Sequence, residues 1–339
     1  MKRVDAALGA AGLIFCIVVV TRIGGNELVQ QLKAARVGMF VLIGFSFLRL
    51  LLQTAAWSTA LRAEGIRAPI SELIGIRLAS QSAGYLSVLG PAIAEPMKVR
   101  LILKCRGSGM FATLADSGVY GLTSCILGIV GCVCAGLAMT HTGQVTALVL
   151  LCAGLVTGML MILRSKPALA WVVRSLGRRS PVWLRKGAQI EAEVRQFGIH
   201  NPISVCLMFW SGLACQALLV GDVVAIAWCL GIPHHAITVL ALEAGTRAAR
   251  MMAGWIPARI GVDESGAIAA FAALGLPTAS GLALALARRV RDLLWCALGF
   301  AWLLWAARSF GGRHVNAATP RLLAQVAIGI DPGQAVAVK

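Results

Sequence analysis

Residues 90–100 read GPAIAEPMKVR, and this short stretch decides how the whole chain is interpreted. It places one acidic and two basic residues, Glu95, Lys98 and Arg100, directly after Leu78–Ala94, a stretch without any charge. Residues that break helices interrupt the uncharged stretch: Gly84, Gly90 and Pro91. A charged group inside a bilayer costs about 2.5–3.5 kcal/mol on insertion scales, so membrane segments rarely retain one without a use for it. The sequence therefore predicts an interrupted membrane segment whose charged residues serve a function.

The composition of the chain is that of an integral membrane protein. Hydrophobic residues make up 58% of the sequence, charged residues make up 13%, and the mean hydropathy is +0.81. A soluble domain has about a quarter of its residues charged, and a membrane span needs about 18 or more apolar residues. Stretches that approach or reach this length are Ala6–Thr21, Val37–Leu61, Ser117–Thr140, Thr142–Leu163, Ile203–Gly221 and Val223–Leu242. We therefore expect an all-α polytopic protein with about six to eight transmembrane helices.

The basic residues predict the topology. The formal net charge is +17 and the pI is about 10.3, but the bases are not arranged as in a groove-reading helix, so nucleic acid is not expected as a partner. They concentrate in three predicted loops, at 62–77, 95–109 and 164–202. By the positive-inside rule these loops and both termini are cytoplasmic in a bacterial inner membrane, and His141 is external. The same loops are expected to attract anionic lipid head groups.

Two regions are predicted to be re-entrant, because irregular backbone at membrane depth occurs only where protein or a water-filled cavity covers it. Ser71–Ala94 has basic residues on both sides, so both of its ends are expected at the same membrane surface. Ile237–Trp305 is interrupted at Gly254, Pro257, Gly261, Gly275 and Pro277. Between these regions, Ile203–Leu230 is expected to form one span that contains Asp222. We assign residues 1–310 to a single membrane domain, with an amphipathic surface segment at 164–202, and residues 311–339 to a polar tail.

The two broken regions show signs of an internal repeat. A shift of 168 residues superposes Glu95 on Asp263, Gly107 on Gly275, Ala115 on Ala283 and Gly131 on Gly299. Three predicted crossings separate the copies, so the second copy would be inverted, as in many secondary transporters. Arg288, Arg289 and Arg291 would then lie towards the outside. Either they line a wet cavity, with Arg288 paired to Asp292 one turn away, or the last spans run in the opposite direction.

No sequence motif indicates an enzyme or a cofactor site. There is no Walker A, no dinucleotide fingerprint, no H-E-x-x-H and no G-x-S-x-G. The ten cysteines contain no C-x-x-C pair and lie mostly in apolar stretches, where they are expected to be packing residues. The chain is therefore expected to have no enzymatic activity, no metal and no cofactor.

Two motifs resemble the signatures of a known family. The first is Pro91-x-x-x-Glu95-Pro96-x-Lys98-x-Arg100 followed by Lys104-Cys105-Arg106-Gly107, and the second combines Ile256-Pro257, Ile260-Gly261-Val262-x-Glu264, Ala273-Leu274-Gly275 and Leu286-Ala287-Arg288. Over roughly residues 1–310 the chain resembles the lysylphosphatidylglycerol synthase transmembrane, or flippase-like, family, which includes hopanoid-biosynthesis-associated membrane proteins. It departs from the family at Ala94, usually Gly, and at Asp116-Ser117, often an acidic residue followed by Arg. We expect no counterpart of the soluble acyltransferase domain of the synthases, so aminoacyl transfer is not implied.

Charged residues of the broken regions are candidates for the polar path of a lipid head group: Glu95, Lys98, Arg100, Arg247, Arg250, Glu264 and Arg288. Each has a plainer alternative. Glu95 would pair with Lys98 or Arg100 in the head-group zone, Glu264 would pair with Arg259, and Arg247 with Arg250 would form a solvated helix end. Arg49, at the middle of its span, needs a wet cavity or a carboxylate such as Asp116, Asp222 or Glu243.

Taken with the resemblance, these residues predict translocation of an amphiphilic lipid, either a hopanoid or a phospholipid. Two other functions stay open. One is an accessory subunit that scaffolds partner proteins of lipid biosynthesis. The other is a membrane-embedded transferase, for which Glu95 with Lys98 is the only cluster that could supply acid–base chemistry.

Overall fold

Helices account for all regular secondary structure in the residues that the structure, a computed structural model, describes: 36–87, 91–106, 108–138, 181–232, 235–252, 259 and 261–309. In chain order these helices are α1 (Arg36–Ala63), α2 (Ile70–Leu86), α3 (Pro91–Arg106), α4 (Met110–Ala138), α5 (Val182–His200), α6 (Pro202–Cys229), α7 (Ala236–Met252), α8 (Val262–Ala273) and α9 (Thr278–Ser309). The predicted all-α class is confirmed.

Within those ranges, three helices are long and apolar enough to cross a membrane: α1 from Gly38, α4 and α6. They correspond to the predicted spans Val37–Leu61, Ser117–Thr140 and Ile203–Leu230. A continuous span at Val223–Leu242 is wrong, because α6 ends at Cys229 and α7 begins only at Ala236.

Other sequence predictions fall outside the described residues. These are the spans Ala6–Thr21 and Thr142–Leu163, the link at His141, the break at Pro257 and the tail 311–339.

The helices form two copies of a four-helix unit, α1–α4 and α6–α9. Adding 166 to the bounds of α1 and α2 gives the bounds of α6 and α7, and adding 168 to the first residue of α4 gives that of α9. The turns correspond too, because Gly65 has φ 78° and Gly231 has φ 66°. In both turns the next residue donates a 2.9 Å hydrogen bond to the carbonyl five residues earlier, which is a glycine-dependent helix ending. The structure thus contains the internal repeat predicted from four matched residues.

The two units are inverted relative to each other. α1 and α6 cross antiparallel, since Gly38 at the start of α1 lies against Ile226 near the end of α6, while Gly221 lies against Phe45. Two equivalent helices that run antiparallel are related by an axis perpendicular to them. This is the inverted-repeat arrangement in which transporter folds place interrupted helices around a central site.

Each unit contains one helical hairpin that turns inside the bundle. α2 and α3 form the first, and both of its open ends lie beside the end of α1, where Arg106 of α3 pairs with Glu72 of α2 and Glu64 accepts a hydrogen bond from the Ala112 N–H of α4. The first re-entrant segment is therefore longer than the predicted Ser71–Ala94. Its returning limb is α3, which the sequence analysis had assigned to a loop at 95–109.

The second hairpin, α7 and α8, enters from the opposite end. There Val239 and Leu242 of α7 pack with Leu42 of α1 and Phe271 of α8 in one buried cluster. Gly261, with φ 81°, precedes α8, and Gly275, with φ 68°, follows it. Both glycines were predicted as breaks and both mark the limits of a helix.

The segment 182–197, predicted to be amphipathic, belongs to α5. Leu184 and Ala188 are buried, and Val194 and Phe197 pack against the buried cluster that includes Ile66. The apolar side of α5 therefore faces the bundle at the end where α1 finishes.

Gly131 and Gly299, which the repeat makes equivalent, allow α4 and α9 to cross the hairpins closely. A Cβ on Gly131 would lie 2.9 Å from the Leu240 carbonyl oxygen of α7, and a Cβ on Gly299 would lie 2.6 Å from the Leu78 carbonyl oxygen of α2. Such contacts are shorter than carbon–oxygen van der Waals distances, so only glycine fits without backbone movement.

We predict that Gly131→Ala lowers stability by about 1–3 kcal/mol, as overpacking does. Gly118→Ala, on the same helix, should be neutral or stabilising by up to about 1 kcal/mol, because its Cβ would meet nothing within 4 Å and alanine favours helix. Thermal unfolding in detergent, followed with a dye that reacts with newly exposed cysteines, measures both. Equal melting temperatures for the two variants would contradict the close crossing.

Candidate functional site: a cationic cavity

The tips of the two hairpins meet around a partly open cavity of about 830 Å³. Its walls include the middles of α1, α4 and α9, which are 28, 29 and 32 residues long. The hairpin tips contribute Gly84, Tyr85, Ser87, Ala94 and Glu95 from the first and Arg247, Arg250, Met251 and Arg259 from the second. Residues at the ends of the hairpin helices thus line a cavity with charged side chains at mid-height of the bundle, the setting in which a membrane tolerates interrupted helices.

Arginines dominate the charge of this cavity. The charged lining residues are Arg49, Arg247, Arg250, Arg259, Arg291, Glu95 and Asp292. Five positive and two negative groups leave three positive charges in excess on the lining itself. Three acids that pair with these arginines, Glu243, Asp263 and Asp222, lie behind the lining and offset this excess. Arg49 has no ion pair among the described residues, and its charge favours an anionic occupant because charges act strongly at low dielectric.

Carboxylates behind or beside the lining hold four of these arginines in place. The pairs are Arg247–Glu243 at 3.2 Å, Arg250–Asp263 at 3.0 Å, Arg259–Asp292 at 3.7 Å and Arg291–Asp222 at 2.5 Å. Arg247 also donates to Gln216 of α6 at 3.0 Å and to the Ser124 hydroxyl of α4 at 2.7 Å. The arginine side chains are therefore positioned by partners on five helices, α4 and α6 to α9.

A separate buried ion cluster ties the first unit together. Asp116 of α4 accepts hydrogen bonds from Arg77 of α2 at 2.6 Å and from Lys98 of α3 at 2.7 Å. Both cations lie over the indole ring of Trp57, at 5.5 and 5.0 Å, and Arg77 also donates to Gln53 of α1 at 2.9 Å. The assignment of Arg77 and Lys98 to basic loops is thus wrong, because both are helical and only 4% exposed.

Three of the seven predicted path residues line the cavity: Glu95, Arg247 and Arg250. Glu95 accepts a hydrogen bond from the Ser117 hydroxyl, while Lys98, its expected partner, pairs with Asp116. Arg100 is half-buried on α3 and does not belong to the lining.

The other two predicted path residues, Arg288 and Glu264, lie behind the cavity wall. Arg288 is 3% exposed and pairs with Glu243 at 2.7 Å, so the predicted Arg288–Asp292 pair is wrong. The acid on the facing helix α7 is itself buried and reaches Arg288 directly, whereas Asp292 contacts Arg291 and Arg259.

Glu264 supports the start of α8. Its carboxylate accepts a hydrogen bond from the Gly261 N–H at 3.0 Å and pairs with Arg289 at 2.6 Å. The alternative pairing with Arg259 is not the one observed, because Arg259 pairs with Asp263 and Asp292.

The unexpected run of arginines in α9 is explained by burial. Arg288, Arg289 and Arg291 lie near the middle of this helix and contact acids of α6, α7 and α8. They are not loop residues, so they carry no information about the cytoplasmic side. Of the two predicted explanations, a place in the lining of a cavity applies to Arg291.

Sequence reasoning missed several lining residues: Arg259, Asp292, Tyr85 and Trp295. The sequence shows these residues only as charged or aromatic side chains within apolar stretches. That pattern does not indicate where in the fold they lie. Arg49 had been recognised as needing either a partner or a wet cavity, and the structure places it in the cavity.

The described ranges hold no cluster of His, Cys, Asp and Glu arranged to bind a metal ion.

Inverted four-helix units with interrupted hairpins around a mid-height polar cavity define an integral membrane protein of the inverted-repeat class. The chain belongs to the family described as the lysylphosphatidylglycerol synthase TM region, whose model matches residues 4–313. The resemblance seen in the two motifs is thereby confirmed, and membership supports a membrane lipid-related function. Comparisons with curated proteins and with solved structures give no match.

We predict that Asp116→Asn destabilises the fold by about 3–5 kcal/mol, because it leaves two buried cations without a charged partner. Glu193→Gln is the control, since it removes a carboxylate from an exposed position of α5, where surface charges contribute about 0–1 kcal/mol. Thermal unfolding in detergent compares them. An Asp116→Asn protein as stable as the control would contradict the stabilising role of the cluster.

Proposed function

We propose that the protein moves an amphiphilic lipid across the membrane by passing its head group through the cavity between the hairpin tips. The observation that carries the proposal is a cationic cavity at mid-height of an apolar bundle, bounded by two hairpins that enter from opposite ends. Family membership supports the lipid-related part of the proposal. A hopanoid or a phospholipid is the substrate class that we favour.

Lipid translocation needs a polar path for the head group and an apolar surface for the tails. Met251 meets both needs, because it lines the cavity and is 49% exposed at the tip of the second hairpin. Ile93, at the tip of the first hairpin, is 40% exposed. A head group inside the cavity can therefore leave its tails on apolar surface beside the tips.

Inverted hairpins offer a physical route to alternating access. The tips touch each other, since the Arg259 guanidinium lies 5.1 Å from the centre of the Tyr85 ring. Rocking one hairpin against the long helices would break this contact and open one end, and the equivalent movement of the other hairpin would open the opposite end. The ion pairs at the tips would rearrange during this change.

We further propose that the end of the bundle with Arg62, Arg67 and Arg106 faces the cytoplasm of a bacterial cell, with both chain termini on that side. Basic residues at this end would attract anionic lipids before they enter the path. Partner proteins of lipid biosynthesis would supply or remove the lipid.

An accessory scaffold is the second candidate function, since apolar helix faces such as that of Phe40 and Trp210 are exposed. A transferase is less well supported, because Lys98 is engaged by Asp116 and does not form an acid–base pair with Glu95. We therefore propose transport without an enzymatic step, a metal or a cofactor.

Filling the cavity should block transport without unfolding the protein. Gly121 lines the cavity, Gly118 does not, and a Cβ at either position meets nothing within 4 Å. We predict that Gly121→Phe abolishes complementation of a deletion strain, while Gly118→Phe, one turn away on the same helix, retains it. Leaflet-resolved lipid labelling beside total lipid analysis is the measurement, with protein levels checked in the membrane fraction.

The same experiment separates the three functions. An unchanged leaflet distribution in the deletion strain would exclude lipid translocation. Loss of a chemically altered lipid would indicate a transferase. Full complementation by Gly121→Phe would show that the cavity is not the path, as expected of a scaffold.

A further inference from the structure

Arg49 differs from the other four arginines of the cavity. Each of those pairs with a carboxylate, whereas the Arg49 guanidinium has no ion pair and its Nε has no hydrogen-bond partner among the residues that the structure describes. A charge without an ion pair in an apolar bundle is costly. Water in the cavity relieves part of this cost, and an anionic ligand would relieve more of it.

Arg49 also occupies a special place in the repeat. Cys215 is its equivalent under the 166-residue shift, and the Cys215 thiol donates to the Arg49 carbonyl oxygen at 3.7 Å. Equivalent residues touch only where the two units meet on their common axis. The α1–α6 crossing therefore holds Arg49 midway between the two ends of the bundle.

The lining near Arg49 suits an oxyanion. α1 adds Ser46 and Gln53 to the same wall, and Gln81 and Tyr120 face the cavity from α2 and α4. Gln53, Gln81 and Tyr120 offer neutral hydrogen-bond donors, while the guanidinium offers a planar fork that matches two phosphate oxygens. The four paired arginines are held against acids that offset their charge, so Arg49 is the arginine of the lining whose charge remains available to a ligand.

We propose that Arg49 is the residue that binds the phosphate group of a phosphate-bearing lipid, at the midpoint of the translocation path. This inference rests on the proposed function for the path, but the binding step is separable from transport. On the symmetry axis a bound phosphate meets the same guanidinium whichever end of the bundle is open. The paired arginines then guide the head group towards this site and away from it.

The test measures lipid binding by purified protein in neutral detergent with native mass spectrometry. Three probes are used: dioleoyl phosphatidylglycerol, the phosphate-free dioleoylglycerol with the same tails, and water-soluble glycerol 3-phosphate. The variants are Arg49→Gln and, as a matched control, Arg62→Gln at the exposed end of the same helix. Thermal unfolding without added lipid is measured on every variant.

We expect Arg49→Gln to weaken phosphatidylglycerol binding by about tenfold or more, as loss of a charge-assisted bidentate contact does. Binding of dioleoylglycerol should not change, and Arg62→Gln should bind both lipids as the wild type does. The lipid-free melting temperature of Arg49→Gln should equal or exceed that of the wild type, because a charge without an ion pair has been removed.

Three results would overturn the proposal. Wild-type affinity of Arg49→Gln for phosphatidylglycerol would show that Arg49 is not the phosphate ligand. A clear fall in its lipid-free melting temperature would show that Arg49 is a structural residue. Binding of glycerol 3-phosphate as tight as that of the lipid would assign the site to a soluble phosphate. Arg49-dependent lipid binding together with an unchanged leaflet distribution in the deletion strain would leave this inference standing and remove only the proposed transport.

Discussion

The cavity depends on ion pairs between helices inside an apolar bundle. In the first unit, Arg77 of α2 pairs with Asp116 of α4, and in the second, Glu243 of α7 pairs with Arg288 of α9. Arg77 and Glu243 are equivalent positions in the repeat. Both units therefore have an ion pair between the first helix of the hairpin and the long helix, but the positive and negative partners are exchanged between the two helices. Because an unpaired buried charge costs several kcal/mol, each pair holds its hairpin against the long helix. The two ion pairs thereby fix the positions of the hairpin tips that line the cavity.

Hydropathy and helix breakers predicted the parts of the fold that depend on local sequence. The spans α1, α4 and α6 follow from apolar length, and the ends of α8 follow from Gly261 and Gly275. The partners of the charges did not follow, because they are set by helices that meet in space. Arg288 was expected to pair along its own helix, yet Glu243, 45 residues away, is closer. The repeat was only partly visible, since the matching shift changes from 166 to 168 between the hairpin limbs and one shift cannot align both.

The residues of the candidate site were likewise only partly predictable from the sequence. Glu95, Arg247 and Arg250 were predicted to face a polar path because charges in broken, apolar stretches need water or a partner, and they do line the cavity. Lys98 met the same criterion but lies buried against Trp57 and Asp116. Sequence alone cannot distinguish a charge that faces water from one that faces a partner, since both lower the same desolvation cost.

The broken helices and the charged cavity have the same physical cause, the backbone groups left without partners at a helix end inside the bundle. A helix that stops at mid-height leaves backbone N–H and C=O groups without partners and exposes the charged end of its dipole. α7 stops there with Arg250 in its last turn, and α8 starts there with Asp263 and Glu264 in its first turn. These charges have the signs that the dipoles require, and Arg250 and Asp263 pair across the gap. The backbone groups at the hairpin tips need water and charged partners. The space around the tips is therefore suited to a polar head group, so the interrupted hairpins both form the site and border it.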